Sequence, residues 1–332
     1  MTKANVLVTG VGGGIGQSIL KSLEGTDYSA IAADADPLAA GLYAATRAYR
    51  IPRADSPEFL PRVMEICCQE KCALIFPGIE PELPVLARAS EQLRAAGVTA
   101  VVSSPQVVEI ADDKLLTARF LAENGFAAPI TLPLAEACGS MHLPLVLKPR
   151  RGGARSKGVY VVRTEQELRF RCATIDAANY IAQEYLGGDE FTCGTINFEG
   201  RCHGVIVMRR TLRDGDTYKA FVEPDGNIGE HVRAVAEKLV PFGPCNFQLR
   251  MKHGGPCIFE INARCSGTTY CRALAGFNEP LMTAEFLLKK KTPKFKIREM
   301  SFLRYWKELV VPNQRICEME SRGTVAGDGG KL

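Results

Sequence analysis

Apolar and polar residues alternate along two neighbouring segments of the chain, at 245–251 and 257–264. This period of two is the pattern of half-buried β-strands, in which successive side chains point to opposite faces of a sheet. The residues 252–255 between the segments include two glycines and favour a tight turn. The pattern therefore predicts a β-hairpin centred on Gly254.

One face of this predicted hairpin carries a row of polar side chains. Gln248 lies opposite Glu260 and Asn246 lies opposite Asn262, while Arg264 continues the same face. Because buried polar groups need partners, such a row fills a core poorly. Its carboxylate and amide oxygens suit a divalent cation, and its guanidinium suits a phosphate. A solvated edge hairpin is the alternative, and a shift of one residue in register would break the row.

The first third of the chain alternates short apolar strands with amphipathic helices, which predicts a doubly wound α/β domain over residues 1–111. The predicted strands are 5–10, 29–33, 74–78 and 99–102, and the first helix is 17–23. Glu80 and Glu82 follow the third of these strands, at the edge where parallel sheets bind ligands. They either face a substrate or are solvated loop residues.

A glycine-rich turn at 10–16 joins the first strand to the first helix. With Asp34 about twenty residues later, it matches the nucleotide fingerprint of short-chain dehydrogenases. An NAD(P)-dependent oxidoreductase is therefore one alternative. The Tyr-xxx-Lys pair of those enzymes is missing, because none of the nine tyrosines has a lysine four residues later. Close packing of strand against helix explains the glycines equally well.

The middle of the chain changes to helices and hairpins. A helix opens at 112–114 and ends near Gly125, and a later strand at 145–149 carries Lys148. A basic, glycine-rich loop at 150–158 leads into a returning strand. Backbone N–H groups and cations in such a loop can cover a polyphosphate, and a solvated hairpin turn is the alternative.

A further strand, from Tyr180, ends in Glu184, Tyr185 and Leu186, and two glycines separate it from Glu190. An exposed strand backbone beside one carboxylate can bind the edge of an adenine base. The second acid can accept hydrogen bonds from ribose hydroxyls. Acids that flank a glycine turn are more often solvated residues that bind no ligand. This segment therefore indicates a nucleotide site only in combination with the other segments.

Composition excludes some function classes without selecting one. The 332 residues carry a formal net charge of only +4 and no basic run with interleaved aromatics, so we expect no nucleic-acid partner. No apolar run reaches the roughly 18 residues of a membrane span, so we expect no membrane attachment. The 12 cysteines form no CxxC pair, which favours free thiols and a cytoplasmic location.

Together, these segments resemble the ATP-grasp superfamily in their order and spacing. The resemblance is closest to the branch of the carbamoyl-phosphate synthase large subunit, which includes stand-alone carboxylate–amine and amino-acid ligases, and it covers residues 3–292. It implies an α/β and α+β fold class, with a Rossmann-like pre-ATP-grasp domain followed by a two-lobed ATP-grasp fold. The implied domains are 1–111, a small lobe at 112–187 with a glycine-rich loop at 151–158, a large lobe with the metal site at 188–292, and a C-terminal extension at 293–332. We expect the tail after Pro312 to be frayed, with a disordered and partly vector-derived end.

The resemblance assigns roles around an ATP molecule between the lobes. Lys114 and Lys148 would contact its phosphates, and the loop closing over them would contribute Gly152, Gly153, Ser156 and Gly158. Glu184, with the backbone of Tyr185 and Leu186, would bind adenine, and Glu190 would hold the ribose. Gln248, Glu260 and Asn262 would bind two magnesium ions, for which manganese could substitute, and Gln248 would also belong to the nucleotide site. The implied catalytic residues are Arg264, Lys148 and Asn262.

The implied reaction is an ADP-forming ligation. A small-molecule carboxylate would be activated as an acyl phosphate and joined to an amine, with release of ADP and phosphate. Relatives carry substrate-contacting arginines in the region of Arg209 and Arg213, either of which could clamp a substrate carboxylate or could equally be a surface charge. Ser266 would line the acceptor pocket. The alternatives are the dehydrogenase-like oxidoreductase and a synthase-like ATP-binding subunit that needs a partner chain. A homodimer is compatible with the resemblance.

Overall fold

A computed structural model of the chain describes residues 3–137, 139–153 and 156–326. Its strands form three sheets: a six-stranded sheet built mostly from parallel strands, a four-stranded sheet and a second six-stranded sheet. This arrangement confirms the predicted α/β and α+β fold class. In the described part of the chain, no helix combines the length and the hydropathy needed to cross a bilayer.

The N-terminal domain is a parallel sheet covered by helices. Its strands are β1 (Ala4–Thr9), β2 (Tyr28–Asp34), β3 (Arg47–Arg50), β4 (Cys72–Phe76) and β5 (Thr99–Ala100), and its helices are α1 (Gly14–Leu23), α2 (Ala40–Ala44), α3 (Phe59–Glu70), α4 (Glu82–Arg88), α5 (Ser90–Ala95) and α6 (Pro105–Asp112). The parallel order is β3-β2-β1-β4-β5. Leu7 packs into one apolar cluster and its neighbours Val6 and Val8 into another, so both faces of the sheet are buried.

Glycines explain why α1 begins at Gly14, earlier than the predicted start at residue 17. A Cβ atom on Gly16 would lie 2.4 Å from the carbonyl oxygen of Gly10. A Cβ atom on Gly78 would lie 2.1 Å from the carbonyl oxygen of Thr9. Only glycine permits these approaches, and they pack the ends of β1 and β4 against the first turn of α1.

The four-stranded sheet forms the small lobe. It contains β6 (Thr131–Pro133), β7 (Leu145–Pro149), β8 (Tyr160–Val162) and β9 (Tyr180–Glu184), with helices α7 (Lys114–Glu123), α8 (Leu134–Ala137) and α9 (Glu165–Thr174). The strands are antiparallel in the order β6-β9-β7-β8. The predicted basic hairpin is therefore β7 and β8. Its loop is described except for Ala154 and Arg155, which lie outside the described residues.

The large lobe is an antiparallel sheet with helices on both faces. Its strands are β10 (Glu190–Phe198), β11 (Arg201–Arg213), β12 (Asp216–Val222), β13 (Gly243–Lys252), β14 (Gly255–Asn262) and β15 (Ser301–Leu303), and its helices are α10 (Gly226–Leu239), α11 (Thr269–Leu274) and α12 (Glu279–Lys289). The order is β14-β13-β10-β11-β12-β15. Helix α10 packs on one face through Val232 and Val235, and α12 packs on the other through Met282.

The predicted hairpin is β13–β14, and the register of its polar row is confirmed. Gln248 pairs with Glu260 and Asn246 pairs with Asn262. The predicted centre at Gly254 is wrong near the turn, where Lys252 pairs with Gly255. A register shift between Gln248 and Leu249 leaves Phe259 without a cross-strand partner, and this bulge restores the predicted pairing further along.

The C-terminal segment differs from the prediction of a frayed tail. Helix α13 (Asn313–Arg322) and strand β16 (Thr324–Ala326) follow the large lobe, and β16 pairs antiparallel with β3 at the edge of the N-terminal sheet. Met319 is fully buried and Val325 nearly so. Burial of these two apolar side chains offsets the entropy of ordering the segment. The mostly polar composition of the segment did not indicate this burial. The predicted disordered end at 327–332 lies outside the described residues.

Candidate functional site

A cavity of about 1220 Å³ lies among the N-terminal domain and the two lobes. This volume exceeds the range of about 300–1,000 Å³ that is typical of small-molecule pockets. Most of the predicted site residues line it: Lys114, Lys148, Gly152, Gly153, Ser156, Glu184, Tyr185, Leu186, Glu190, Gln248, Glu260, Asn262, Arg264 and Ser266. The structure thus brings together segments that are up to about 150 residues apart in the chain.

Three predicted residues are not among those that line the cavity. Gly158 ends the basic loop, where a Cβ atom would be 2.5 Å from the Tyr180 hydroxyl. Arg209 forms an ion pair with Glu223, 2.6 Å between nitrogen and oxygen, and the Arg213 side chain is 65% exposed. The arginine of β11 that does line the cavity is Arg210. The sequence instead favoured Arg209 and Arg213. Alternation along β11 shows that Arg209 and Arg210 face opposite sides of the sheet, but it does not show which side faces the cavity.

Two lysines, Lys114 and Lys148, line the cavity. The Lys114 ammonium donates a 2.8 Å hydrogen bond to the carbonyl oxygen of Gly152 in the basic loop. Lys148 is 5% exposed and donates to the carbonyl oxygen of Phe259, the bulged residue, at 3.4 Å. Asp113 caps α7 and accepts hydrogen bonds from Arg150. The N-cap of α7 therefore anchors the start of the basic loop.

Burial is the main influence on the charge of Lys148. It lowers the pKa of the ammonium to about 8, with Glu260 opposing the shift and Lys114 adding to it. At neutral pH Lys148 is still mostly protonated, so it can act as a cation toward a phosphate. A small rise in pH is enough to remove that charge.

We predict that this lysine makes ATP binding depend on pH. Phosphate oxygens favour the charged lysine, so bound ATP raises its pKa, and binding above the free-state pKa takes up a proton. The dissociation constant for ATP should be constant below the pKa of about 8 and rise about tenfold by about pH 9. Isothermal titration calorimetry across this range measures the effect.

Lys148→Arg is the matched control, because a guanidinium stays protonated throughout this range. Its ATP affinity should not change between neutral pH and about pH 9. Parallel weakening in the wild type and in Lys148→Arg would show that another group titrates.

Glu260 is the carboxylate of the predicted metal site. Its Oε1 atom accepts hydrogen bonds from the amide nitrogens of Asn262 at 3.1 Å and of Gln248 at 3.4 Å. Burial raises the pKa of this carboxyl, but Lys114 and Lys148 outweigh that effect and the pKa is lowered. The group is therefore an anion at neutral pH, as a metal ligand must be.

The donor set fits a hard divalent cation. One carboxylate and two amide oxygens are ligands that magnesium accepts, with water and phosphate oxygens completing its shell. In the described residues, no three His, Cys, Asp or Glu side chains cluster, so a soft or nitrogen-rich metal site is absent there. Glu260 and Asn262 would hold the ion. Gln248 could join them. Its amide oxygen accepts a hydrogen bond from Arg210 at 2.9 Å, and that of Asn262 accepts one from Arg264 at 2.9 Å, so each oxygen would have to be shared with or released by a guanidinium.

Glu190 lies between two arginines in a charge row that strand register determines. Glu190 pairs with Arg210 on β11 and with Arg250 on β13, and both arginines form ion pairs with it, at 2.6 and 2.9 Å. Because a guanidinium only donates, the Gln248 atom that faces Arg210 must be its oxygen. Arg210 therefore orients Glu190 and Gln248 together.

The remaining predicted nucleotide residues also line the cavity. Glu184 forms an ion pair with Lys252 at 2.7 Å and accepts a hydrogen bond from the Ile130 N–H. The N–H of Tyr185 donates to the carbonyl oxygen of Pro144 at 3.4 Å. Apolar residues of the cavity lining include Val146, Val161 and Leu186. Contact of these residues with adenine and ribose stays a prediction.

Arg264 joins the large lobe to the N-terminal domain. Its guanidinium donates to Asn262 Oδ1 at 2.9 Å and to the carboxylate of Glu80, and its side chain is 9% exposed. This contact shows that Glu80 is not a solvated loop residue. Glu82, two residues later, is 2% exposed and bonded to the Thr9 hydroxyl, and burial raises its pKa to about 7.

A buried network beneath the site was not foreseen from the sequence. Arg272 and Glu279 are both fully buried and form an ion pair at 2.7 Å. Arg272 also donates to Asn246 and to Thr268, so it ties the residues after Arg264 to β13. No local pattern marks either residue, because each lies on a separate short helix.

The glycine-rich turn has a packing role. Besides the close approaches of Gly16 and Gly78, the N–H of Gly12 donates to the Asp34 carboxylate at 2.7 Å. Asp34 therefore binds the turn itself in this structure. Residues 12–14 still line the cavity.

Comparison with known proteins supports this reading of the fold. Residues 176–307 match the family described as ATP-grasp in the biosynthetic pathway with Ter operon, and residues 6–101 match the PylC-like N-terminal domain. A phosphoribosylamine–glycine ligase of Synechocystis sp. is 31% identical over 178 residues. That alignment covers 51% of this chain and 40% of the relative, so the chain spans less than half of the relative's length.

Solved structures share the fold at low identity. The L-amino acid ligase of Bacillus licheniformis has a TM-score of 0.68 at 19% identity, over 87% of this chain and 75% of that chain. The N5-carboxyaminoimidazole synthetase of Staphylococcus aureus, complexed with ADP, has a TM-score of 0.68 at 15% identity, over 96% of both chains. The biotin carboxylase of Campylobacter jejuni has a TM-score of 0.68 at 16% identity, over 88% and 73%. The two family matches identify an ATP-grasp domain in residues 176–307 and a PylC-like N-terminal domain in residues 6–101.

Proposed function

We propose that the protein is an ATP- and magnesium-dependent ligase that activates a small-molecule carboxylate as an acyl phosphate and joins it to an amine. ADP and phosphate are the other products. The observation that carries this proposal is the convergence of Lys148, Glu260 and Arg264 on one cavity. Two cations and an ionised carboxylate at that point suit a phosphoryl group with a bound divalent ion.

The chemistry follows from charge. A carboxylate and ATP repel each other, so their reaction needs positive charge around the transferring phosphoryl group. Magnesium held by Glu260 and Asn262 would supply part of that charge and polarise the phosphoryl oxygens. Lys148 and Arg264 would supply the rest from opposite lobes. The basic loop would exclude water, which otherwise hydrolyses an acyl phosphate.

The relatives support this class of reaction. The Synechocystis protein is named as a ligase of phosphoribosylamine and glycine, and the Bacillus licheniformis structure as an L-amino acid ligase. Both names describe the joining of an amine to an amino-acid carboxylate. Two magnesium ions, manganese as a substitute, a homodimer and a cytoplasmic location stay predictions from the sequence.

A substrate screen tests the proposal. Pairs of amino acids and other small carboxylates and amines are mixed with the protein and Mg-ATP, and phosphate release is measured. At least one pair should release phosphate and ADP in equal amounts, and mass spectrometry should detect the joined product. Release that needs the carboxylate but not the amine would indicate an acyl phosphate that water intercepts.

Other outcomes separate the alternatives. Absence of phosphate release with every mixture, together with unchanged ATP affinity in Glu260→Ala, would overturn the ligase proposal. Activity that appears only when a second protein is added would support the synthase-like subunit. Binding of NADH, seen as a change in its fluorescence, would revive the oxidoreductase.

A further inference from the structure

Glu80 is an acid of the N-terminal domain that reaches the reacting centre. It follows β4, lines the cavity, and forms an ion pair with Arg264 of the large lobe. Its side chain is 34% exposed, so part of the carboxylate remains open to the cavity. Ser266 and Thr268, which line the cavity just beyond Arg264, are bonded to each other at 2.8 Å and bring no charge.

The loop that carries Glu80 is held rigidly. Gly78 packs against the carbonyl oxygen of Thr9, where no Cβ atom fits. Two residues past Glu80, the buried carboxyl of Glu82 bonds to the Thr9 hydroxyl. The loop is therefore fixed to the end of β1 on both sides of Glu80, and the carboxylate is pre-positioned at the cavity wall.

Glu80 is an anion whose ion-pair partner is Arg264. The Arg264 guanidinium beside it holds the pKa of this carboxyl below its usual range. Other acids on the cavity wall have their own partners: Glu184 pairs with Lys252, and Glu190 pairs with two arginines. If Arg264 turns toward a phosphoryl group, Glu80 loses part of its counter-charge. A carboxylate that is only partly exposed then favours another cation, because a poorly solvated charge without a partner is costly.

We propose that Glu80 binds the ammonium group of the amine substrate, an inference that rests on the proposed ligase function. The ligand class is a primary amine that is protonated at neutral pH. Arg264 then binds the acyl phosphate and Glu80 binds the ammonium group, so the contact between these two residues marks the point where the two substrates meet. Before attack the ammonium gives one proton to the Glu80 carboxylate. The C–N bond then forms as the C–O bond to phosphate breaks, and the leaving phosphate takes the second N–H proton.

The test separates amine binding from carboxylate activation. The acyl phosphate is trapped with hydroxylamine, a small nucleophile that is uncharged at neutral pH, and hydroxamate is measured. In Glu80→Gln, hydroxamate formation should stay at the wild-type level. With the amino acid that supports phosphate release in the screen, the KM for the amine should rise about 10- to 100-fold, as expected for loss of a charged hydrogen bond.

Two further variants sharpen the test. Glu80→Asp keeps the charge and should recover much of the amine affinity. Glu91→Gln makes the same change at an exposed position of the same domain, on α5 and away from the cavity lining, and should leave the KM for the amine unchanged. Because hydroxamate formation itself requires a folded site, it also shows that each variant is intact.

Each result bears on one proposal. Equal losses of hydroxamate and amine product in Glu80→Gln would show that Glu80 acts only by orienting Arg264, and would overturn the amine site. An unchanged KM for the amine would overturn it as well. Absence of hydroxamate in the wild type with every carboxylate would instead contradict the proposed function itself.

Discussion

Replacing Glu260 with glutamine should lower magnesium-dependent ADP release by about three orders of magnitude, on the order of 4 kcal/mol in activation free energy. The change keeps the size of the side chain and removes its charge. Glu260 is the carboxylate among the predicted metal ligands, and its ionised state is maintained by Lys114 and Lys148. Without it, the two amides alone bind a divalent ion weakly, because amide oxygens carry no net charge. Steady-state ADP release at saturating ATP measures the loss.

The same variant has a second signature that a purely structural defect would not produce. Glu260 raises the pKa of Lys148 against the effect of burial. In Glu260→Gln that pKa should fall, so ATP affinity should begin to weaken at a lower pH than in the wild type. Direct titration with manganese, followed by electron paramagnetic resonance, should show weaker metal binding in the presence of ATP.

Glu223→Gln is the control for charge removal in the large lobe. Glu223 forms an ion pair with Arg209 and is not among the residues lining the cavity. Its activity should remain close to that of the wild type. Normal magnesium-dependent ADP release by Glu260→Gln would remove the hairpin from the proposed mechanism.

Replacing Arg272 with leucine should reduce the free energy of unfolding by about 3–5 kcal/mol. The change leaves Glu279 fully buried without its ion-pair partner. It also removes the hydrogen bonds that Arg272 donates to Asn246 and Thr268. A Cβ atom on the neighbouring Gly194 would lie 2.3 Å from Arg272, which shows how closely the guanidinium is packed. Urea denaturation followed by far-ultraviolet circular dichroism measures the effect.

The pH dependence of this loss is a further expectation. Burial raises the pKa of the Glu279 carboxyl, and Arg272 opposes that rise. In Arg272→Leu the folded-state pKa rises further above the unfolded value, so folding takes up a proton. Stability is then fully present below the unfolded pKa and is lost as pH rises through the folded pKa. The variant should be closer to the wild type at about pH 5 than at about pH 8.

A double variant tests whether the pair or its isolated charge is responsible. Arg272→Met combined with Glu279→Leu replaces both groups with apolar side chains and leaves no buried charge. It should recover most of the stability that Arg272→Leu loses. A double variant as unstable as the single one would show that the hydrogen bonds of Arg272, rather than the charge of Glu279, carry the effect.

The sequence pattern predicted the hairpin because both strands and the turn lie within one short segment of the chain. The alternation around Gln248 and Glu260 specifies which side chains share a face, and the turn between the strands restricts the register. The structure reached the predicted pairing by a different route, through a two-residue turn at His253 and Gly254 and a bulge at Phe259. The bulge also aims the carbonyl oxygen of Phe259 at Lys148, which alternation could not predict.

The choice of arginine on β11 shows the limit of such reasoning. Arg209, Arg210 and Arg213 are equally polar in sequence, and the two faces of the strand differ only in what packs against them. Register across three strands placed Arg210 beside Glu190 and Gln248, while Arg209 pairs with Glu223. The C-terminal segment shows the same limit. Met319 and Val325 are buried because β16 pairs with the edge strand β3 of the N-terminal sheet, and the local sequence does not show that pairing.

The sequence by itself determined the order of domains, the resemblance to ATP-grasp proteins and the polar row on the hairpin, because each of these depends on periodicity and spacing along one segment. Only the tertiary structure decided that Glu80 meets Arg264, that Arg210 rather than Arg209 lines the cavity, and that Arg272 and Glu279 support the site from below. These contacts join residues whose separation in the chain carries no periodic signal, and they depend on how the domains pack against one another.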